Sequence, residues 1–315
     1  MKILRKIRSG TTAARSGPER SPAQSAGVRA SGLDTANRRA VEEGGRVRPV
    51  TTKEILHTHR KAFPYHGWVD VESGLCPPFV MFCGNDEAVA LDTVWNGRFG
   101  YERGSLGHWS RLAAASSTVV DVGAHVGYYA MVAALSAPKA AVHAFEPVPP
   151  VHARLAVNHR ANGLRNLHLH AEGVSDRGGR ADINIRFRMN NLLSTGSTLE
   201  EFTEPLQGAS TYRVPLTTLD EAFPEKPVDL IKIDVEGHEP HVLTGARRLL
   251  ERHRPTVLLE ALRESELDGL TAHFKGLDYT FHWIAEKDGG LVPITEARPE
   301  KSRNLLFAPR GTDAG

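Results

Sequence analysis

Acidic side chains recur in this chain wherever an apolar run ends. Thr118-Val119-Val120 leads into Asp121, Ala141-Val142-His143-Ala144-Phe145 into Glu146, and Leu167-His168-Leu169-His170-Ala171 into Glu172. Val228 to Ile233 ends at Asp234 with Glu236 behind it, and Thr256-Val257-Leu258-Leu259 ends at Glu260. If these runs are parallel strands, the acids rim the crevice at the carboxyl ends, where open α/β sheets bind their ligands. Such a rim suits a ligand bearing cations and ribose hydroxyls better than one made of phosphates. The plainer alternative is that each acid caps the helix that follows it.

Asp121-Val122-Gly123-Ala124-His125-Val126-Gly127-Tyr128 follows the first run and opens a helical stretch. Its glycines, four apart, permit a tight turn and a close approach of backbone to ligand. The dinucleotide fingerprint needs a glycine where this chain has His125, and a phosphate-binding P-loop needs a Gly-Lys-Ser/Thr that is absent here, so nicotinamide and nucleotide triphosphate chemistry are disfavoured. Glu146 stands 19 residues beyond Gly127, at the end of the next strand, where a carboxylate accepts hydrogen bonds from both hydroxyls of a ribose.

The densest segment is Ile231-Lys232-Ile233-Asp234-Val235-Glu236-Gly237-His238-Glu239. In extended chain Asp234, Glu236 and His238 fall on one side. Group transfer to a hydroxyl needs a base beside the acceptor oxygen and a holder that aligns donor and acceptor. His238 is the expected base because imidazole titrates near neutrality, with a helix-capping histidine as the alternative. The same three residues could hold a divalent cation, but no second cluster completes a coordination shell, so no metal is expected. The remaining histidines, His57 and His59 among them, show no zinc spacing with Cys76 or Cys83.

These residues need a scaffold, and the pattern supplies one. From residue 118 apolar runs alternate with helical stretches, as in parallel βαβ units: helices over Tyr128 to Ser136, Val151 to Asn162 and Pro240 to Arg252, with the late run Arg303-Asn304-Leu305-Leu306-Phe307 closing the sheet. The domain boundaries read as a disordered basic tail over 1–50, a cap over 51–117 with β-like pieces at Phe79–Phe82 and Ala88–Leu91, and the main α/β domain over 118–310. A polar insertion runs to about Ser210, and acceptor contacts are expected from the cap and from residues 190–211.

Bulk properties narrow the class. The chain has 315 residues with 39 Lys+Arg and 37 Asp+Glu, yet residues 1–50 hold 11 basic against 4 acidic side chains, which leaves the remainder mildly acidic. The basic tail lacks the interleaved aromatics of a nucleic-acid arm, and no apolar run approaches the roughly 18 residues of a membrane span. Two cysteines build no disulfide framework, and the basic start has no apolar h-region behind it, so a cytoplasmic protein with neither nucleic-acid nor membrane partners is expected.

Val120 to Tyr129, Ala144-Phe145-Glu146-Pro147, Thr218-Leu219-Asp220 and Ile231 to Glu239 followed by Val242-Leu243-x-Gly245-Ala246 together resemble the FkbM family of methyltransferases, over roughly residues 80 to 308. The resemblance implies a Rossmann-like α/β class I methyltransferase fold with a mostly parallel seven-stranded sheet and helices on both faces. It implies S-adenosylmethionine as cofactor and a hydroxyl of a secondary metabolite, sugar or glycan as acceptor. It places Asp121, Gly123 and Gly127 at the methionine part, Glu146 at the ribose, Glu172, Gly173 and Val174 near adenine, and Asp234 at the transfer site, with Ala124, His125, Tyr128 and Pro147 also among the cofactor-binding residues. The family usually has Asn where this chain has His125. Glu102, in Gly100-Tyr101-Glu102, resembles a further family feature, although an exposed loop acid is the simpler expectation. N-methylation, or a binding module without catalysis, are the competing functions.

Overall fold

The computed structural model describes residues 31–47, 49–185, 197–198, 210–261, 266–300 and 302–312. Helix α1 (Ser31–Val47) comes first, then a helical stretch over 52–62, the antiparallel hairpin β1 (Gly67–Val71) with β2 (Phe79–Cys83), and helices α2 (Ala88–Asn96) and α3 (Arg103–Ala114). The main unit alternates β3 (Thr118–Val122), α4 (Tyr128–Ser136), β4 (Ala141–Phe145), α5 (Pro149–Asn162) and β5 (Leu167–His170). A second small sheet follows, of β6 (Gly173–Val174), β7 (Gly179–Ile185), β8 (Ser197–Thr198) and β9 (Ser210–Thr217). After α6 (Leu219–Ala222) come β10 (Leu230–Ile233), α7 (Glu239–Thr244), α8 (Arg247–His253), β11 (Thr256–Glu260), α9 (Leu267–Ala272), β12 (Tyr279–Ile284), β13 (Leu291–Pro293) and β14 (Asn304–Pro309).

The large sheet runs β13-β12-β14-β11-β10-β3-β4-β5, parallel from β11 through β5 and antiparallel at β14. This is the expected Rossmann-like class I arrangement with one addition: the short strand β13 pairs with β12 and makes eight strands in place of seven. The chain leaves β3 toward β4 and β5, then crosses back to β10 on the other side, so the order reverses at β3 and opens a crevice there.

Strand alternation divides two cores. Val119, Leu230, Leu258 and Leu306 pack with α2 to α5 on one face, while Val120, Ile231, Ile233, Leu259 and Phe307 pack with α6 to α9 on the other. On the first face the pattern changes at the carboxyl ends: Asp121, Lys232 and Glu260 take positions of that same parity, and Lys232 pairs in register with Asp121. Position along the strand therefore converts an apolar face into a charged one.

Three sequence expectations change. The disordered tail over 1–50 falls partly outside the described residues, at 1–30, but 31–47 form α1, where Ala40 is fully buried and Asn37 exchanges two hydrogen bonds with the His66 backbone (2.8 and 2.9 Å). Packing against α2 supplies the burial that the segment's own composition lacks. Ala88–Leu91 begins helix α2 instead of a strand, because Glu87 caps it, accepting from Val89 N at 2.7 Å and Ala90 N at 2.6 Å. Every residue of α2 is buried, so no helical period shows in its sequence. The helix expected over Pro240 to Arg252 is two, α7 and α8, divided at Gly245, where a Cβ would overlap the carbonyl oxygen of Ser175. Asp220, from Thr218-Leu219-Asp220, accepts from Arg248 N and Leu249 N and so anchors the restart of the helix.

The cap is fastened by asparagines that imitate a strand edge. Asn162 on α5 accepts from Val80 N and donates to Val80 O, both at 2.8 Å, and Asn158 accepts from Phe82 N at 2.8 Å while donating to Val126 O at 2.9 Å. One buried amide thus joins β2 to the glycine loop. Among the described residues no helix is long and apolar enough to cross a membrane.

Candidate active site

A cavity of about 430 Å³ opens at the carboxyl ends of β3, β4 and β10 and is closed on its far side by the cap. The turn after β3 forms its floor. Gly123 N and Ala124 N both donate to Phe145 O at 3.0 Å, and Gly123 has φ +81° with its absent Cβ making room for the carbonyl of Asp234. Asp121, Gly123, Ala124, His125, Tyr128, Glu146, Pro147, Glu172, Gly173, Val174, Asp234, Glu236 and His238 all border this cavity. Gly127 stands behind the wall, where a Cβ would strike Leu155.

Glu146 is buried at the end of β4, with Oε2 accepting from His125 N (3.0 Å) and Oε1 from Val148 N (2.9 Å). Each oxygen retains a second lone pair for a ligand hydroxyl. Burial pushes its pKa up to about 7 against the opposing pull of those two amides. Asp121 is fully buried, and neither of its oxygens has a side-chain hydrogen-bond partner; burial raises its pKa to about 6, Lys232 and a backbone hydrogen bond from Ala130 opposing and Asp234 adding to the rise. His125 has φ +49°, and its buried Nε2 is likewise without a partner. Burial lowers its pKa to about 4, so it is a neutral ring at physiological pH.

On β10, Lys232 Nζ donates to Asp234 Oδ2 at 2.8 Å and lies 4.5 Å from the centre of the Tyr129 ring. Burial disfavours the lysine cation, but Asp234, Asp121 and Glu102 outweigh it and hold the ammonium protonated. Burial also works against the Asp234 carboxylate, and Lys232 reverses that, leaving its pKa below the usual aspartate range. Glu260, raised by burial and by the Asp234 charge, keeps its proton and shares it with Asp234.

The segment 234–238 leaves the strand as a turn instead of extended chain, with Glu236 at φ +55° and Gly237 at φ +101°. Glu239 stabilises it by accepting from Val235 N (3.0 Å) and Gly237 N (3.3 Å). Asp234, Glu236 and His238 all reach the cavity, but His238 Nε2 is 2.9 Å from Ser175 Oγ and its ring stacks on His241 at 4.4 Å. Glu236 is half-buried, with its pKa raised to about 7 by burial and then by Asp234 and Glu239. Among the described residues no group of three or more His, Cys, Asp or Glu is placed to hold a metal ion.

Tyr101, Tyr129, Lys232 and Arg303, which the sequence did not single out as site residues, line the same cavity, together with Glu260, expected on the acidic rim, and Glu102. Glu102 is not an exposed loop acid: its Oε2 accepts from Tyr129 Oη at 2.7 Å and burial raises its pKa to about 7. Lys232 had a signal in plain view, since a lysine between isoleucines in a buried strand demands a partner. Of the insertion expected to reach the acceptor, residues 190–196 and 199–209 lie outside the described residues.

Known proteins resemble this chain in the same region. A segment of the AMB antimetabolite synthetase AmbE of Pseudomonas aeruginosa is 27% identical over 188 residues, covering 50% of this chain and 9% of that protein. The structure of methyltransferase FkbM from Methylobacillus flagellatus aligns with a TM-score of 0.42 at 19% identity, over 61% of this chain and 43% of that one. A SAM-dependent methyltransferase from Agrobacterium tumefaciens aligns with a TM-score of 0.42 at 12% identity, over 76% of this chain and 69% of that one. The chain thus spans 9% of the synthetase and 43% of the Methylobacillus protein, less than half the length of either. The family model of the methyltransferase FkbM domain matches residues 121–284, from the aspartate of the glycine turn to the end of β12, and so the chain belongs to the FkbM methyltransferase family.

Proposed function

We propose that this protein transfers a methyl group from S-adenosylmethionine to a hydroxyl of a secondary metabolite, sugar or glycan. The observation that carries the reading is Glu146, buried at the tip of β4 with both oxygens oriented by backbone amides and turned toward the cavity that Asp121 and Gly123 border. The residues fit the cofactor: the buried Asp121 carboxylate, without a side-chain partner, suits the methionine end, and Glu146 and Pro147 suit the ribose. Glu172, Gly173 and Val174 suit the adenine, with the His125 backbone and Ala124 in the turn and Tyr128 at its exit. When bound, S-adenosylmethionine supplies an electrophilic methyl group on a sulfonium.

The chain's own residues then divide the remaining work. Asp234, ionised by Lys232, orients the acceptor hydroxyl by accepting its hydrogen bond. Glu236 takes the proton, because a carboxyl group held near neutrality is poised to do so. His238, engaged with Ser175, positions the loop that carries Glu236. The match to part of an antimetabolite synthetase supports an acceptor from secondary metabolism. Calorimetric titration tests the reading: binding of S-adenosylmethionine and S-adenosylhomocysteine is expected, and failure of the pure protein to bind either removes it.

A further inference from the structure

Helix α3 begins without a cap of its own. Glu102 stands at its N-cap position, but the side chain makes no capping bond, and its backbone is left-handed, φ +45°, a conformation that a glutamate keeps only where its surroundings impose it. The missing bond comes from late in the chain. Glu286, in the turn between β12 and β13, accepts at 3.1 Å from Ser105 N, the third backbone amide of the helix and one that an N-cap side chain ordinarily takes. Its other oxygen accepts from Ser105 Oγ and from Asn304 Nδ2 (3.1 Å), so a single carboxylate ties α3 to β14. A negative charge there also suits the positive end of a helix.

Two further contacts hold the turn against α3. His108 Nε2 donates to Gly289 O at 2.7 Å, and Gly104 has no side chain where a Cβ would stand 2.7 Å from Ala285 O. Strand β13, the addition to the sheet, pairs with β12 and so closes the turn that carries Glu286. Glu102, Ser105, Glu286 and Asn304 all lie outside the matched residues 121–284, so this strut is built from both flanks of the family domain. Released from capping, Glu102 turns to Tyr129 Oη at 2.7 Å and lines the cavity among the carboxylates that act on Lys232.

Resting on the cofactor reading above, we propose that Glu286 is a positioning residue: by capping α3 in place of Glu102, it holds the Glu102 carboxylate in the wall of the nucleoside cavity. Without Glu286 the Ser105 amide is left for Glu102 itself, whose side chain then leaves Tyr129 for the end of the helix.

Two measurements on the full chain test this, the first without any ligand. Burial and then Asp234 raise the Glu102 pKa to about 7 against the pull of Lys232 and Tyr129, with Glu286 adding least. In carbon-13 carboxyl NMR, the resonance that disappears in Glu102→Gln is expected to titrate near 7 in the wild type and to return to the ordinary glutamate range in Glu286→Ala. It should stay near 7 in Glu286→Gln, which removes the charge but keeps an oxygen for Ser105 N. An unshifted resonance in the wild type, or an unchanged one in Glu286→Ala, overturns the proposal. A fall in both Glu286 variants does so too, because Glu286 then acts through its charge alone.

The second measurement is calorimetric titration with S-adenosylhomocysteine. Glu286→Ala and Glu102→Gln are each expected to weaken binding about tenfold, and the double variant no more than Glu102→Gln alone, because the two residues act as a unit. Additive losses, or no loss in either single variant, overturn the proposal. Should Glu286→Ala fail to fold by circular dichroism, Ser105→Ala, which removes the hydroxyl that holds Glu286, takes its place in the binding cycle, with a loss of about threefold expected. Persistence of that loss in the Glu102→Gln background overturns the strut. Wild-type protein that binds no S-adenosylhomocysteine refutes the cofactor reading, whereas the carboxyl titration still decides where Glu286 holds Glu102.

Discussion

Lys232 on β10 and Asp234, the first residue beyond its end, form a 2.8 Å ion pair at the bottom of the cavity. The pair defines the charge state of everything around it, since Asp121, Glu102 and Glu260 all sense one member or the other. Lys232→Met leaves Asp234 without its counter-ion and is expected to destabilise the fold by about 3–5 kcal/mol. Adding Asp234→Asn should recover part of that loss, because the two residues act as a unit. Urea denaturation of the two single variants and the double variant measures the coupling, and strict additivity would count against it.

Stability should fall as pH rises through neutrality in the ligand-free protein. Glu87, Glu102, Glu146 and Glu239 have folded pKa values raised to about 7, chiefly by burial, against about 4.3 in the unfolded chain. Between those values the folded state binds more protons, so the contribution of these groups is fully present below the unfolded value and is lost as pH climbs through about 7. Asp234 has the opposite sign: its depressed pKa stabilises above the ordinary aspartate range and ceases to do so as pH falls through the folded value. Urea midpoints at pH 5, 6, 7 and 8 should decrease, and a steady increase over that range would contradict the burial argument.

Gly123→Ala combines a left-handed backbone with a Cβ driven into the carbonyl of Asp234, so about 3 kcal/mol of destabilisation and loss of nucleoside binding are expected. Gly163→Ala is the control: its φ is +62°, but nothing lies within 4 Å of the new methyl, so only the backbone penalty of about 1 kcal/mol remains. Thermal melts of both, with and without S-adenosylhomocysteine, separate strain from clash. Equal shifts would mean that the contact with Asp234 is irrelevant.

Asn158→Ala strands the Phe82 amide and the Val126 carbonyl together, at a cost of about 2–4 kcal/mol. Because Val126 belongs to the glycine turn, faster hydrogen exchange is expected in both β2 and residues 122–128, whereas Asn162→Ala should affect β2 alone. Exchange mass spectrometry distinguishes the two outcomes.

Much of the sheet and part of the site could be read from residue order. Strand-ending acids, a glycine turn and an alternating rhythm are local properties, and Asp121, Glu146 and Asp234 could be assigned from them because backbone topology brings strand ends together wherever the chain is parallel. Helix α2 could not, since its burial on every side erases the period that marks a helix. The break at Gly245 was equally hidden, because it depends on a carbonyl belonging to Ser175, far away in sequence.

Residue order alone reveals which strands carry acids at their tips, that the first turn departs from the dinucleotide fingerprint, and that the chain follows the FkbM pattern. Which acids are charged depends on the folded arrangement. Glu102 became a wall of the cavity only when the cap folded over α4, His238 turned to Ser175, and Lys232 bound Asp234 in preference to Asp121. The reason is physical: residue type and spacing follow from the chain, but protonation depends on burial and on neighbours from distant elements, which exist only once the sheet has closed beneath its cap.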